Sequence, residues 1–341
     1  MKAAIVERRG VLAVREIPMP VAGEYDALCE LLYGATCSGT DLHLLHGRFP
    51  WPVRYPTVLG HESVGRVIEV GAKVRHYQVG DLVTRVGAPA IDEISANWGG
   101  FAEYGIARDH WAAKEDGRPR EEWNAFRVNQ HVPEGIDPRA ATLIITWRET
   151  LSYLTRMGLC AGASLLVIGS GGNGLAFTAH ARNLGASRVA VIGGARREQV
   201  ARAAGARDYF DYKADALAAA VSDSCPEGFD FIIDAVGKKG ALDSALALLK
   251  PGATVGIYGI DDFGACLLNP AHARGSFTFA NNGYDEEETH DRVIAFIQQG
   301  KLDAHLWLDL ESPYPLEWIA DALDAVAQRK AVKALVQLSS R

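Results

Sequence analysis

Hydrophobic residues follow two different patterns along the chain, and these patterns predict two kinds of structure. In about the first 85 residues, alternating or apolar runs are divided by Gly and Pro, which is typical of short strands. The strands predicted there and shortly after cover residues 2–6, 26–33, 63–70, 81–86 and 101–106. The first part of the chain is therefore predicted to be a β-rich domain.

From about residue 130 onwards, apolar runs of strand length alternate with helical segments. Helices are predicted for residues 139–145 and 148–157, and a buried strand for residues 165–168. The elements predicted after that strand are helix 175–183, strand 188–192, strand 229–234, helix 241–249, strand 254–258, strand 276–279, helix 288–299, helix 318–328 and strand 334–338. Strands alternating with helices predict a doubly wound parallel sheet.

A glycine-rich turn joins the buried strand at 165–168 to the helix that follows it. The turn reads Gly169-Ser170-Gly171-Gly172-Asn173-Gly174, a Gly-x-Gly-x-x-Gly pattern between a strand and a helix. The N–H groups and dipole at the helix start can bind a pyrophosphate, and the glycines keep side chains away from it. The turn predicts a dinucleotide site; the alternative is an ordinary tight turn without a ligand.

The end of the next strand indicates which dinucleotide binds. An NAD site usually has an acidic residue there, to accept hydrogen bonds from the ribose hydroxyls. Here the chain reads Gly193-Gly194-Ala195-Arg196-Arg197, with no acid before Glu198. The small residues from Gly193 make room for a 2′-phosphate and the two arginines supply its counter-charge, which favours NADP over NAD. Alternatively, the arginines begin a solvated helix.

Two further loops follow the ends of predicted strands. Ala235 and Val236 come after strand 229–234, and Gly259 comes after strand 254–258. Ligands of doubly wound sheets bind beyond the carboxyl ends of the strands. These residues are therefore predicted to lie beside the nicotinamide ribose, with ordinary loops as the alternative.

Composition excludes several classes of function. The 341-residue chain carries a formal net charge of −7 and no run of Lys and Arg, which argues against a nucleic-acid partner. It has neither a signal-peptide-like apolar run at its N-terminus nor a membrane-length apolar segment, so we expect a cytoplasmic protein without a membrane partner. The five cysteines are scattered, which excludes a disulfide framework and a structural Cys₄ zinc site.

Two polar segments interrupt the β-rich part of the chain. One contains Cys37, Thr40 and His43, and the other is Gly60-His61-Glu62. Cys, His and Glu are all competent zinc ligands. The alternatives remain open: a buried structural cysteine, a core histidine at 61, a surface histidine at 43 and a glutamate that only pairs with a cation.

Several motifs taken together resemble the medium-chain dehydrogenase/reductase superfamily, the zinc-dependent alcohol and polyol dehydrogenases. They are Cys-x-Gly-Thr-Asp-Leu-His from Cys37, Leu-Gly-His-Glu-x-x-Gly-x-Val-x-x-Val-Gly from Leu59, Val-Gly-Asp-x-Val from Val79, Gly-Gly-Phe-Ala-Glu-Tyr from Gly99, the glycine turn and Asp-Ala-Val-Gly from Asp234. The likeness covers nearly the whole chain, apart from roughly residues 110–127.

The resemblance implies an α/β fold class with two domains and a returning segment. Residues 1–146 would form a GroES-like β-rich catalytic domain and residues 147–279 a Rossmann domain with a doubly wound parallel sheet. Residues 280–341 would return to complete the catalytic domain. In relatives an edge strand like 276–279 pairs with its copy, which implies a homodimer or homotetramer.

The resemblance also implies roles for individual residues. Cys37 and His61 would be zinc ligands, with Glu62 a neighbouring or alternating ligand. Thr40 would meet the substrate alcohol, and His43 would form the outer end of a proton relay.

This chain departs from the family pattern at two of these ligands. The usual cysteine position is occupied by Ser38, so the loop must bulge for Cys37 to reach a metal. The usual third-ligand position falls near Ile145, which cannot bind a metal. Glu149, in Glu149-Thr150-Leu151-Ser152, resembles the Glu-Pro-Leu-Ser of polyol dehydrogenases and is the candidate instead.

The predicted activity is NADP-preferring, zinc-dependent oxidation of a secondary alcohol or reduction of a ketone. The small-molecule substrate is expected to be a polyol, sugar or cyclitol. A zinc-free quinone- or enoyl-reductase-like enzyme is the first alternative, supported by the altered ligand spacing. A non-catalytic NADPH-binding protein is the second.

Overall fold

A computed structural model describes residues 1–339 of the chain, which divide into two compact units. The first unit comprises Met1–Ile145, Glu286–Gln298 and the chain from Asp303 on. The second comprises Thr146–Asp285 and Gln299–Leu302.

The secondary structure of the described residues is numbered here in chain order. The strands are β1 Lys2–Arg8, β2 Val11–Glu16, β3 Asp26–Ala35, β4 Thr57–Val58, β5 Glu62–Val70, β6 Leu82–Thr84, β7 Ser95–Ala96, β8 Tyr104–Arg108, β9 His131–Val132, β10 Ser164–Ile168, β11 Arg188–Gly193, β12 Asp208–Asp211, β13 Phe229–Asp234, β14 Leu249–Ile257, β15 Phe277–Ala280, β16 Tyr314–Pro315 and β17 Leu335–Gln337. The helices are α1 Asp41–His46, α2 His110–Glu115, α3 Arg120–Trp123, α4 Pro138–Ala141, α5 Ile144–Arg156, α6 Gly172–Asn183, α7 Glu198–Ala204, α8 Leu217–Ser224, α9 His290–Gln298 and α10 Ile319–Ala327.

The second unit is built on one parallel sheet in the order β12-β11-β10-β13-β14-β15. Each neighbouring pair of strands is parallel. Every residue of β10 is buried, which explains its continuous apolar run, because a central parallel strand is covered on both faces. Strand order reverses on either side of β10, as in a Rossmann fold. The predicted α/β class with a doubly wound sheet is confirmed.

The first unit is β-rich, as its alternating pattern predicts. One sheet has the order β2-β1-β4-β7, and a second has the order β16-β17-β3-β5-β6-β9, with β8 also paired to β3. Strand β17 pairs with β3 although the paired residues lie 300 or more positions apart, so the end of the described chain completes this sheet. The core includes Ile5, Leu31, Val67, Phe101 and Leu323.

One predicted element differs in the structure. The predicted helix 241–249 is a 3₁₀ helix over Asp243–Leu248, and β14 begins directly after it. Pro251, within β14, has no N–H to donate to the sheet. The pairing of β13 with β14 nevertheless begins at Leu249 and shifts register between Leu249 and Thr254.

No helix within residues 1–339 combines the length and the apolar character needed to cross a bilayer.

Candidate active site

The loop after β3 turns Cys37 inwards and Ser38 outwards. The Cys37 N–H donates to Asp41 Oδ2 at 2.8 Å, and the Asp41 N–H donates to the Cys37 carbonyl at 2.9 Å. This closed turn buries Cys37 and leaves Ser38 exposed. The altered spacing of the sequence motif therefore does not prevent a cysteine side chain from facing the interior.

Three potential metal ligands meet in the first unit. One ligand atom from each of Cys37, His61 and Glu62 lies within 4.8 Å of the others, and all three residues are buried. Gly60, which directly precedes His61, has φ of +89°, and a Cβ there would lie 2.5 Å from the Phe101 ring. Packing against Phe101 thus requires glycine next to His61. Cys37, His61 and Glu62 are called the metal group below.

The surroundings of His61 favour positive charge. Its Nδ1 lies 3.4 Å from Asp41 Oδ1, and its Nε2 lies 3.6 Å from Glu62 Oε1. Burial lowers the pKa of His61, but Asp41, Cys37 and Glu62 outweigh it and raise this pKa well above its usual value. A buried cluster of anionic donors around an imidazole is chemistry suited to a cation.

Lys333 is a buried cation that sequence reasoning missed. Its Nζ contacts Glu62 and donates to the Thr36 carbonyl at 3.3 Å. Burial would raise the pKa of Glu62, but the charge of Lys333 and hydrogen bonding by His61 lower it to about 2. The available signal was a single lysine within the apolar run Ala331-Val332-Lys333-Ala334-Leu335.

The predicted relay residues lie beside the metal group. Thr40 Oγ1 is 3.7 Å from Cys37 Sγ, and Thr40 directly precedes α1. His43 lies on the first turn of α1 and is half-buried. Three positions apart at a helix start, these two residues share one face of α1.

Glu149 lies on α5 in the second unit. Its Oε2 accepts a hydrogen bond from the Tyr258 hydroxyl at 2.8 Å. Ile145, at the usual ligand position, is fully buried and apolar. The role of Glu149 as a metal ligand stays a prediction.

The glycine turn of the second unit has the shape of a phosphate cradle. Gly169 has φ of +107°, and a Cβ on Gly174 would lie 2.0 Å from the Gly169 carbonyl oxygen, so both positions require glycine. Gly171 caps α6, and a Cβ there would meet nothing within 4 Å. Gly172 and Asn173 form the first turn of α6. Gly171 therefore leaves room beside its own backbone at the start of α6, a helix of twelve residues.

The end of β11 is packed more tightly than its sequence indicates. A Cβ on Gly193 would lie 2.1 Å from Ser170 Oγ and 2.3 Å from the Tyr209 hydroxyl. That hydroxyl donates to the Gly194 carbonyl at 2.7 Å and lies 3.0 Å from Ser170 Oγ. Gly193 is therefore required by packing against Tyr209, a contact that the sequence did not reveal.

Arg196 and Arg197 follow in a short 3₁₀ helix before α7. Arg196 is exposed and Arg197 half-buried.

The loops after β13 and β14 lie against each other. Asp234 Oδ1 accepts hydrogen bonds from the Val236 and Gly237 N–H groups, both at 2.9 Å. A Cβ on Gly259 would lie 2.0 Å from the Val236 carbonyl carbon. The structure thus brings together the predicted residues Ala235, Val236 and Gly259.

Both units match known protein families. Residues 23–116 match the alcohol dehydrogenase GroES-like domain, and residues 172–297 match the zinc-binding dehydrogenase family. The chain is 27% identical to L-galactonate-5-dehydrogenase of Escherichia coli (strain K12) over 338 residues, 94% of each chain.

Solved structures are similar along almost the full length. Alcohol dehydrogenase TADH from Thermus sp. ATN1 is 25% identical with a TM-score of 0.79, covering 99% of each chain. A zinc-binding dehydrogenase from Sinorhizobium meliloti 1021 bound to NADP is 25% identical with a TM-score of 0.78, covering 98% of each chain. With both domain families matched, the chain belongs to the medium-chain dehydrogenase/reductase superfamily and is an oxidoreductase of the alcohol dehydrogenase type.

Proposed function

We propose that this protein transfers hydride between NADP and a secondary alcohol or ketone of the polyol, sugar or cyclitol class, using a catalytic zinc ion. The observation that carries the proposal is the convergence of sulfur, nitrogen and oxygen donors in the metal group, within 4.8 Å of one another. This donor set suits zinc, because thiolate, imidazole and carboxylate are its usual protein ligands.

Cys37 and His61 would be the main zinc ligands, because Glu62 is already paired with Lys333. Asp41 faces the other ring nitrogen of His61, the arrangement that orients a metal-binding histidine. Bound zinc supplies Lewis acidity, which lowers the pKa of an alcohol.

Thr40 is proposed to hold the substrate hydroxyl and relay its proton: its Oγ1 accepts the substrate proton as its own hydroxyl proton leaves towards His43. His43, three residues further along α1, would pass that proton towards water. These roles need a hydroxyl and an imidazole on one helix face, which the start of α1 supplies.

The second unit is proposed to bind NADP over NAD. The open glycine cradle at Gly171 offers helix N–H groups for the pyrophosphate. No acid lies at the end of β11, and Arg196 is an exposed cation that can pair with a 2′-phosphate. The NADP-bound structure from Sinorhizobium meliloti, with 25% identity, supports this preference.

The proposed substrate class rests on polar chemistry and one relative. Thr40 and His43 suit a hydroxylated substrate, and the similar Escherichia coli enzyme is named for L-galactonate, a polyhydroxylated acid. We further propose that the protein is a homodimer or homotetramer, because β15 ends the sheet of the second unit and Phe279 on it is 43% exposed.

The experiment that tests this proposed activity combines metal analysis with a measurement of cofactor turnover. Purified protein is dialysed and its zinc measured by emission spectroscopy, then NADPH oxidation is followed with ketones and NADP reduction with secondary alcohols. We expect bound zinc and turnover that chelation removes. Full activity without zinc would favour the quinone- or enoyl-reductase alternative. NADPH binding without turnover of any alcohol, ketone or activated alkene would favour the non-catalytic alternative.

A further inference from the structure

Three aromatic side chains of the first unit form a partly exposed surface, called here the aromatic shelf: Phe49, which is half-buried, and the exposed Trp51 and Trp98. The ring centroids of Phe49 and Trp51 are 5.1 Å apart, and those of Phe49 and Trp98 are 6.1 Å apart. Trp51 is 53% exposed and Trp98 43% exposed, so both indoles present apolar surface to solvent. The Trp98 ring centroid lies 5.4 Å from that of His61, so the shelf borders the metal group.

The backbone of Trp98 is held in a conformation that bulky residues rarely adopt. Its φ is +74°, in the left-handed region, and Gly99 follows with φ of +68°. A Cβ on Gly87 would lie 1.7 Å from the Trp98 carbonyl oxygen, and the Gly99 carbonyl accepts from the Ala88 N–H at 2.9 Å. Close backbone packing therefore fixes where the indole points, although the ring itself stays exposed. Strained positions of this kind cluster at functional sites.

A buried arginine supports the indole. The guanidinium carbon of Arg85 lies 5.5 Å from the Trp98 ring centroid, and Arg85 also has a positive φ, of 61°. Its Nη1 donates to the His61 carbonyl at 2.9 Å, and its Nη2 lies 3.1 Å from Glu286 Oε1. Because Arg85 and Glu286 are both almost fully buried, this contact ties the indole rigidly to the backbone of His61.

We propose that Trp98 is a specificity-determining residue that stacks on the C–H face of a ring-shaped substrate, a cyclic polyol or sugar. The inference rests on the proposed function and narrows its substrate class. A rigid indole presents a flat apolar face, which complements the C–H face of a six-membered ring. An open-chain polyol has no such face and loses more conformational freedom on binding. With the ring on Trp98, a carbinol at its edge lies towards His61.

The test compares cyclic and open-chain polyols of equal carbon number, using the holoenzyme with NADP and the variants Trp98→Ala and Trp98→Phe. We expect Trp98→Ala to raise KM for cyclic polyols about tenfold, with kcat within about twofold, the scale of one lost stacking contact. KM for open-chain polyols should change less than about twofold, and Trp98→Phe should retain most of the preference. Trp318→Ala, which removes another exposed indole of the same unit, is the matched control.

Binding of a cyclic polyol is also measured by calorimetry, which does not require turnover. Absence of turnover with selective loss of cyclic-polyol binding in Trp98→Ala would reject the proposed function and keep the stacking role. Equal effects on both substrate classes, or no effect on either, would overturn the stacking role. A lower oligomeric mass of Trp98→Ala with unchanged KM would also overturn it, because a second copy of the chain would then cover the shelf.

Discussion

Lys333 Nζ lies 2.7 Å from each carboxylate oxygen of Glu62, and the two side chains are only 3% and 1% exposed. The pair joins the strand that follows Gly60-His61 to a residue 271 positions later in the chain. A buried carboxylate stays ionised only with such compensation. The charged state of Glu62 in the metal group therefore depends on Lys333, which lies outside the sequence motifs that contain Cys37, His61 and Glu62.

Replacement of Lys333 by methionine should destabilise the protein strongly. The substitution leaves the buried Glu62 carboxylate without its cation, a change that typically lowers the free energy of unfolding by about 3–5 kcal/mol. Urea denaturation at neutral pH measures it. Lys333→Met with Glu62→Gln should recover much of the loss, because neither charge then remains. If the double variant is as unstable as the single one, the ion pair is not the cause.

Cys37→Ser should abolish zinc retention, and adding Ser38→Cys should not restore it. The side chain at 38 faces solvent, whereas the turn closed by Asp41 directs residue 37 into the metal group. Zinc content after dialysis is the measurement, and Cys160→Ser, at an exposed cysteine, is the control. Recovery of zinc by the cysteine at 38 would mean that the loop adopts the usual family register.

Arg196→Ala combined with Arg197→Ala should weaken NADPH binding by about 1–3 kcal/mol while sparing NADH, the scale of lost charge-assisted hydrogen bonds. Calorimetric titration with each cofactor tests this. Arg202→Ala on α7 is the matched control, since that arginine pairs with Glu198 on the same helix. An equal loss of affinity for NADH and NADPH would contradict the phosphate role.

The stability contributed by Asp109 should depend on pH. Its carboxylate is buried and accepts hydrogen bonds from the N–H groups of Ala112, Arg75 and His76. Burial would raise the pKa of Asp109, but these hydrogen bonds lower it below its ordinary value of 3.8. A carboxyl group with a depressed pKa stabilises the fold above its unfolded-state pKa and loses that effect as pH falls through its folded-state pKa.

Asp109→Asn should therefore cost about 1–3 kcal/mol at neutral pH, and the difference from the parent protein should shrink below about pH 4. Urea denaturation across this range gives the measurement. Asp321→Asn, at an exposed position on α10, serves as control. A difference that stays constant down to acid pH would rule out the carboxylate as the cause.

The central features of the second unit could be predicted from sequence because they depend on short-range geometry. The apolar run of β10 reports burial on both faces of a sheet, and Gly169 and Gly174 reflect local steric requirements of one turn. The prediction of a helix over 241–249 was wrong for a long-range reason, because Leu249 pairs with Phe229 of β13 and belongs to a strand. Gly193 was interpreted through a ligand, but Tyr209, in another strand, already requires it.

In the candidate site, too, the sequence predicted local features and the tertiary structure decided those that depend on long-range packing. Sequence alone determined the residue types Cys37, His61 and Glu62, because metal chemistry restricts which side chains can serve. Only the tertiary structure decided that Cys37 rather than Ser38 faces inwards and that Lys333 compensates Glu62. Inward or outward orientation in a loop, and pairing across 271 residues, depend on how distant segments pack. The order of residues along a single chain does not directly show which distant segments come into contact.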